Sequence, residues 1–301
     1  MTQDRPLLRP HHVALFGVLF VVLLGSSFSL AQPSPDNFKS CNHECLVGIS
    51  DDYVAHMLAH KPAGLPVALN ANIRENTAPV KLDATVWNKI TAVKAHQTFA
   101  DPTTGQVSFR GAVEYDGKLA SLAVRLKVEG KKITEIETVY NPGDRPFDAT
   151  YLLEPDALFD SPIDPSRRST REQMIKVVDA YFEAIGTHNP NGASFAKRCE
   201  RFESGMRMTN NASTDTPEGG AVSCAQSLAN LKGQQTVDRR FPIVDAERGV
   251  VVGFTFIQHQ ERTPPQALYM AELFKIVDGQ IREIENISHT VAFPPNSGFS
   301  N

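Results

Sequence analysis

The chain of 301 residues lacks the sequence signatures by which most enzymes hold a cofactor or a metal. It has no glycine-rich phosphate loop, no nucleophile elbow of the Gly-x-Ser-x-Gly type and no group of ligands with zinc spacing. Lys plus Arg number 30 against 34 Asp plus Glu, and a net charge of -4 does not favour binding to phosphate backbones. We therefore expect no cofactor, no metal site and no nucleic acid partner.

Long apolar runs are also missing, and the one that stands out spans Val13 to Leu24. Twelve residues are too few to span a bilayer. Arg5 and Arg9 precede the run and small residues follow it up to Ala31, which is the layout of a cleavable export signal. The sequence predicts a signal peptide over 1–31, a Pro/Ser leader over 32–40, a secreted or periplasmic protein and no membrane attachment after cleavage. An uncleaved anchor is the alternative.

Cysteine is scarce as well, with four residues in the whole chain. No pair has the two-residue spacing typical of zinc sites, and export favours oxidised cysteines. Four cysteines allow three connectivities. We expect the two local pairs, Cys41 with Cys45 and Cys199 with Cys224, and keep the other pairings and a metal site as alternatives.

What the chain does contain is an internal repeat. Residues 51–62 recur at 179–190 with four identities in twelve, and residues 133–137 recur at 281–285. The spacing of the two blocks gives the second unit about twenty extra residues. Apolar positions with helical period are shared at the same offset, namely Leu46, Ile49, Tyr53, Val54 and Met57 with Met174, Val177, Tyr181, Phe182 and Ile185.

Each unit is predicted to run from one long helix to several strands, which is an α+β arrangement. The domain bounds that follow are 41–142 and 169–293, with a packed Pro-rich connector over 143–168 and a tail over 294–301. The first helix is expected over 43–60, and the second is expected to open with a capping box of Ser169 and Glu172. Strands are expected at 73–76, 106–115, 119–128, 133–139, 201–208, 235–244, 250–259, 267–277 and 281–288.

The helix-then-sheet units resemble the cone-shaped domain of the nuclear transport factor 2-like superfamily, which includes ketosteroid isomerase-like and SnoaL-like members. In that fold a curved antiparallel sheet wraps around a long N-terminal helix. Residues 201–206 (Arg-Phe-Glu-Ser-Gly-Met), 238–245 (Asp-Arg-Arg-Phe-Pro-Ile-Val-Asp) and 41–46 also resemble a family of exported fungal and bacterial proteins that has no assigned reaction. That family carries Asn where this chain has Ser204.

The best candidate for chemistry is Glu272. Strict alternation places it on an apolar strand face between Met270 and Phe274, where the first unit has Val124. Burial there would raise the pKa of the carboxyl group. The alternatives are that this strand face is exposed to solvent or that an arginine pairs with the acid.

The resemblance adds two further candidates for catalysis. In ketosteroid isomerase-like members a helix tyrosine and two acids hold and deprotonate a carbonyl substrate, which implies roles for Tyr181, Glu203 and Glu272 here. Glu203 sits about two residues before the strict position of the base, where Gly205 falls. Tyr181 is otherwise explained as an ordinary core tyrosine.

Five residues are predicted to bind a ligand. Arg239 and Arg240 are consecutive on a strand, so one faces inward, where it would clamp a substrate carboxylate or pair with Glu203 or Glu272. In the first unit Tyr53, Glu75 and Trp87 are the corresponding candidates. Because Val124 replaces the late acid, the first unit is interpreted as a structural copy.

These observations predict an exported protein whose two domains pair as an intramolecular pseudo-dimer. Its second domain is expected to bind a small, largely apolar organic molecule. A cofactor-free isomerase, dehydratase or hydrolase is the enzymatic form of this hypothesis. The alternative is a non-catalytic ligand-binding or interaction scaffold.

Overall fold

The computed structural model describes residues 41–142, 148–210, 222–228, 231, 233–259 and 263–300. The predicted signal peptide and leader lie outside the described residues. All of the described residues belong to one compact unit. Within the described part of the chain, no helix has the length and hydropathy needed to cross a membrane.

The described chain is a mixed α and β structure with two six-stranded sheets. The first repeat comprises α1 His43–Leu58, β1 Val67–Glu75, β2 Ala78–Pro79, β3 Ile90–Asp101, β4 Gln106–Tyr115, β5 Lys118–Glu129 and β6 Lys132–Asn141. A short helix, α2 Ala157–Asp160, lies between the repeats. The second repeat comprises α3 Arg171–Gly186, β7 Phe195–Glu203, β8 Met206–Arg207, α4 Cys224–Leu228, β9 Gln234–Asp245, β10 Val250–His259, β11 Gln266–Val277 and β12 Gln280–Val291.

The two sheets have the same strand order, β2-β1-β6-β5-β4-β3 and β8-β7-β12-β11-β10-β9. The expected sheets were purely antiparallel, and this is wrong for one pair in each. β1 runs parallel to β6, and β7 runs parallel to β12. Each parallel pair joins the first long strand of a repeat to its last, with the intervening strands as the crossover.

The repeat in the sequence corresponds to a repeat of secondary-structure elements. α1 and α3 each have 16 residues, and Tyr53 and Tyr181 both lie ten residues after the first one. The starts of the two helices, of β1 and β7, and of β2 and β8 differ by 128 positions, those of β3 and β9 by 144, and those of β5 and β11 by 148. The second repeat therefore gains 16 residues between β8 and β9, the segment that contains α4, and 4 more between β10 and β11.

Side-chain caps fix where the long helices begin. Asn42 accepts a hydrogen bond from the Cys45 amide at the start of α1. At α3 the predicted capping box is one residue out of register, because Thr170 and Gln173 form it instead of Ser169 and Glu172. Ser-Thr followed by Glu-Gln satisfies the spacing twice, so the sequence alone could not choose between the registers.

One strand was missed. β3 is 12 residues long, yet no strand was predicted between Trp87 and Gln106. Its pairing with β4 shifts register between Ile90 and Ala92 and again between Val93 and Ala95. Each bulge adds an unpaired residue and breaks the alternation of apolar and polar side chains by which a strand is recognised. β7 also begins six residues earlier than predicted, at Phe195.

Each sheet packs its own long helix on one face and the other sheet on the opposite face. In the first repeat, α1 buries Leu46, Tyr53 and Met57 against the sheet. In the second, α3 does so with six residues, Met174, Val178, Tyr181, Phe182, Ala184 and Ile185. A third core joins the two outer faces, with Phe99, Ala112, Ala123 and Val139 from the first repeat and Ile243, Val252, Phe254, Phe256, Tyr269 and Leu273 from the second.

The described part of the connector, 148–168, contacts both repeats. Leu152 and Phe159 are buried in the core between the sheets. Gln97 of the first repeat donates to the Asp160 carboxylate at 2.9 Å. Lys275 of the second repeat donates to the Ser161 carbonyl at 2.7 Å.

Both expected local disulfide bonds are present, Cys41–Cys45 and Cys199–Cys224. The first closes the N-terminal end of α1. The second joins β7 to α4 across a separation of 25 residues. It thus fixes the insertion of the second repeat to the strand that carries Arg201 and Glu203.

Candidate functional site

Glu272 lies on the helix-facing side of the second sheet, as the alternation predicted. β11 places its side chain between those of Met270 and Phe274, which belong to the core under α3. Only 1% of Glu272 is exposed. Its neighbours across the sheet are Gly253 on β10 and Asn286 on β12.

Burial determines the protonation of this acid. It raises the pKa of Glu272 from 4.5 to about 8, against the positive charge of Arg201, which lowers it. The negative charge of Glu203 raises the pKa further, while the side chains of Tyr181 and Asn286 lower it. Glu272 is consequently a neutral carboxylic acid at pH 7, which can donate a hydrogen bond.

Tyr181 lies directly beside this acid. Its hydroxyl donates to Glu272 Oε1 at 3.3 Å. The ring packs edge-on against Phe274 with centroids 5.2 Å apart, and burial raises the pKa of the phenol well above 10.0. The helix tyrosine and the late acid therefore meet inside the second repeat.

Arg201 completes the group, and the sequence reasoning missed it. The residue is 1% exposed on β7. Its Nε donates to Ser227 Oγ at 3.0 Å, and its Nη1 donates to the Glu203 carboxylate. Burial lowers the pKa of Arg201, but the neighbouring groups, Glu203 first among them and then Tyr181 and Glu272, together raise it overall. The signal was available, because the equivalent residue of the first repeat, 128 positions earlier, is Ile73.

Glu203 lies at the edge of this group. Its side chain is 28% exposed and forms an ion pair with Arg201. In the sheet register Glu203 pairs with Asn286, which in turn pairs with Glu272. Glu203 and Glu272 thus occupy one row across three adjacent strands.

The described part of the insertion, α4 and Leu231, covers this polar group. Leu228 of α4 and the following Leu231 are buried in the core under α3, together with the disulfide. Ser227 is 2% exposed, accepts from Arg201 and donates to the Cys224 carbonyl at 2.7 Å. We call Tyr181, Arg201, Glu272 and Ser227 the buried polar cluster.

In the first repeat the equivalent space is filled differently. Trp87 is 1% exposed and donates through Nε1 to the Tyr53 hydroxyl at 2.9 Å. Glu75 accepts from the Val86 amide at 2.8 Å, and burial raises the pKa of its carboxyl group. Tyr53, Glu75 and Trp87, the residues predicted to bind a ligand in the first repeat, thus lie on elements that contact one another. Val124 stands where the second repeat has Glu272.

The ion pairs of the two arginines involve acids other than Glu203 and Glu272, the alternative partners expected for the inward one. Arg240 is buried but faces the first sheet, where its Nη2 and Nη1 donate to the Glu137 carboxylate at 2.6 and 3.0 Å. Arg239 lies on the other side of β9 and pairs with Asp179 and Glu183 of α3. Neither pairs with Glu203 or Glu272. The register of β9 shifts near Arg240, and such bulges redirect side chains.

Three cavities open elsewhere on the molecule. One of about 370 Å³ lies between the repeats and is lined by Arg125, Lys127, Arg171 and Arg240 among others. Two of about 440 and 660 Å³ lie along α3, and Arg239 lines the larger. None of these three linings includes a member of the buried polar cluster. No group of three or more His, Cys, Asp or Glu residues in the described part of the chain could hold a metal ion.

Comparisons with known proteins give one match to a family model and a likeness to a solved structure. Residues 167–288 match a domain of unknown function, DUF8021, which spans most of the second repeat. A search of curated proteins found no match. Among solved structures the chain is similar to the protein named Putative Scytalone Dehydratase from Novosphingobium aromaticivorans, at 12% identity over 42% of this chain and 88% of that one, with a TM-score of 0.26. A likeness of that size supports no argument about reaction or substrate.

Proposed function

We propose that the second repeat binds a small, largely apolar organic molecule at the buried polar cluster and acts on it without a cofactor. The observation that carries the proposal is the contact of Tyr181 with a neutral Glu272 beside Arg201, in a core that is otherwise apolar. Buried ionisable groups are costly and cluster at functional sites. The first repeat, with Ile73 and Val124 at the equivalent positions, folds without them.

The chemistry that suits these groups is proton transfer next to a carbonyl. Tyr181 and the Glu272 carboxyl would donate to the oxygen as negative charge develops on it. The Glu203 carboxylate would take the proton from the neighbouring carbon. Return of that proton to another carbon gives an isomerisation. If a hydroxyl group on the next carbon leaves instead and takes the proton from Glu203, the products are an unsaturated carbonyl compound and water, which is a dehydration.

The proposal includes export of the protein from the cytoplasm. Two disulfide bonds support a protein that folds in an oxidising compartment outside the cytoplasm. The two repeats would then act as an intramolecular pseudo-dimer, with the first as the structural partner.

One observation favours the alternative, a non-catalytic binding or interaction scaffold. α4, Leu228 and Leu231 cover the buried polar cluster, so a ligand must displace part of the insertion to reach it. A scaffold would need no such movement.

A thermal-shift screen with steroids, polyketides and terpenoid epoxides tests the proposal. A compound at 100 times its dissociation constant stabilises the protein by about 2.7 kcal/mol. The matched control is the double variant Arg201→Ile/Glu272→Val, which gives the second repeat the residues of the first. We expect compounds that shift the native protein and not the variant. Equal shifts in both proteins, or none in either, would leave the scaffold as the better account.

A further inference from the structure

The cavity of about 370 Å³ between the repeats has a counterpart on the second sheet. Lys127 and Glu135 are register partners on β5 and β6, and both line the cavity. Lys275 and Glu283 are register partners on β11 and β12, at the offset of 148 positions that relates these strands to β5 and β6. The two lysine–glutamate pairs are therefore equivalent, and what lies beside each can be compared.

The connector fills the space beside Lys275. The Nζ of this lysine donates to the Ser161 carbonyl at 2.7 Å, and the residue is 0% exposed. Burial lowers the pKa of the amine to about 8, and the negative charges of Asp245, Asp160 and Asp156 oppose the lowering. Two of these three carboxylates belong to the connector. A peptide segment with acidic side chains thus occupies this space.

The tail reproduces one part of this arrangement at the cavity. Phe159 of the connector lies over the Arg110 guanidinium with its ring centroid 6.0 Å away, and Phe299 of the tail lies over Arg240 at 5.6 Å. The two arginines pair with equivalent acids of β12 and β6. Ser300 follows Phe299 and lines the cavity. The tail supplies the counterpart of Phe159, and the cavity lies where the connector places the residues that follow.

The charge of the cavity wall favours an acidic occupant. Its ten described lining residues include one carboxylate, Glu135, and four cations, Arg125, Lys127, Arg171 and Arg240. The acids that pair with these cations from outside the lining are Asp101, Glu129, Glu137 and Asp238. An occupant therefore contacts four cations and one acid, and a carboxylate is the group that such a wall binds best.

The size and the rest of the lining favour an organic occupant over an inorganic ion. The volume falls in the range of about 300–1,000 Å³ that is typical of ligand sites. Phe241 and Pro242 add apolar surface to the wall. The carboxylate is consequently expected on a body of the size of a few amino acids.

We propose that this cavity binds a short acidic peptide segment of a partner protein, in the place that the connector fills on the second sheet. Lys127, whose side chain is 32% exposed, would donate to a backbone carbonyl of the segment as Lys275 does to Ser161. Arg171, whose side chain is 24% exposed, would pair with its carboxylate. The site shares no residue with the buried polar cluster and is independent of the proposed function.

Two blocked tetrapeptides test this by calorimetry, namely Asp-Ser-Pro-Ile, the sequence of residues 160–163, and its neutral analogue Asn-Ser-Pro-Ile. They differ in one charged group. We expect the acidic peptide to bind the native protein about tenfold more tightly, because hydrogen bonds to charged groups are stronger than neutral ones. Its affinity should fall as salt is added, since the cavity is open to solvent.

Lys127→Gln removes one cation of the wall and should abolish most of the preference for the acidic peptide. The matched control is Lys94→Gln, which removes the exposed pair with Glu114 and should bind as the native protein does. Arg201→Ile/Glu272→Val should also leave peptide binding unchanged, which separates this result from that of the proposed function. Circular dichroism verifies that each variant folds.

Three outcomes would overturn the inference: equal binding of the two peptides, binding of neither, or an unchanged preference in Lys127→Gln. Succinate serves as a further probe, because it carries carboxylates without a peptide backbone. If succinate binds as tightly as the acidic peptide, the cavity is a site for small organic acids and the assignment to a peptide partner is wrong.

Discussion

Arg240 of the second repeat binds Glu137 of the first with both of its terminal nitrogens, at 2.6 and 3.0 Å. A reciprocal pair joins Arg110 of the first repeat to Glu285 of the second at 2.7 Å. Glu137 and Glu285 are equivalent residues of β6 and β12, 148 positions apart. Each sheet thus contributes one buried carboxylate and receives one arginine from the other sheet.

We expect Glu137→Gln to destabilise the protein by about 3–5 kcal/mol, because it leaves buried cations without their counter-charge. Glu137 accepts from Arg125 as well as from Arg240 and Tyr269, and is 1% exposed. Urea denaturation measures the change. The control is Glu114→Gln, which removes the exposed Lys94–Glu114 pair and should leave the midpoint nearly unchanged. Equal effects of the two substitutions would contradict the structural account of the interface.

The pH dependence of the free energy of unfolding should show the titration of Glu272. Its pKa is raised from 4.5 to about 8 in the folded protein, so between these values the folded state holds a proton that the unfolded state has lost. Stability contributed by this group is complete below pH 4.5 and falls as the pH rises to about 8, by about 1.4 kcal/mol per pH unit. Glu272→Gln should remove that fall.

The difference between native protein and Glu272→Gln is the quantity to measure, by urea denaturation from pH 4 to pH 9. Glu283 also has a pKa raised to about 8 and will leave a similar slope in both proteins. Parallel pH profiles for the two proteins would mean that Glu272 is not a neutral acid in the folded state.

Substitutions at Arg201 and Glu272 should have coupled effects on the free energy of unfolding. Arg201→Ile alone leaves the Glu203 carboxylate without its partner and should cost about 3 kcal/mol. Adding Glu272→Val restores the apolar pair of the first repeat, and we expect it to recover part of that loss. Chemical denaturation of both single variants and the double variant gives the coupling energy. Additive losses would indicate that the two side chains do not share one site.

The two disulfide bonds should contribute unequally to the stability of the protein. Removing Cys199–Cys224 with paired Ala substitutions should cost about 3.5 kcal/mol in the chain-entropy model, since this bond closes a separation of 25 residues. Removing Cys41–Cys45, with a separation of 4, should cost less, about 2 kcal/mol. Thermal denaturation compares the two variants. A larger loss at Cys41–Cys45 would point to a role beyond loop closure.

Sequence patterns predicted the features of the fold and of the site that depend on local periodicity. The apolar stripe gave Tyr181, and alternation together with the contrast to Val124 gave Glu272. The partner of Arg240 could not be found in this way, because Glu137 lies 103 residues earlier on another sheet and no local pattern encodes how two sheets align. The contrast between the repeats also distinguishes Arg201, because the equivalent residue of the first repeat is the apolar Ile73.

The reciprocal arginine–glutamate pairs bear on what would happen if the chain were divided between the repeats. Each half would expose to solvent a carboxylate and an arginine that are buried in the whole protein. These side chains would lie on an apolar face next to residues such as Val139 or Phe254, which the other half now covers. Neither fragment should be soluble alone, and two copies of one half would bring together surfaces that evolved to meet a different partner. Co-expressed halves, in contrast, should reassemble in a one-to-one complex if one of them keeps the connector, because its Leu152 and Phe159 fill part of the core between the sheets.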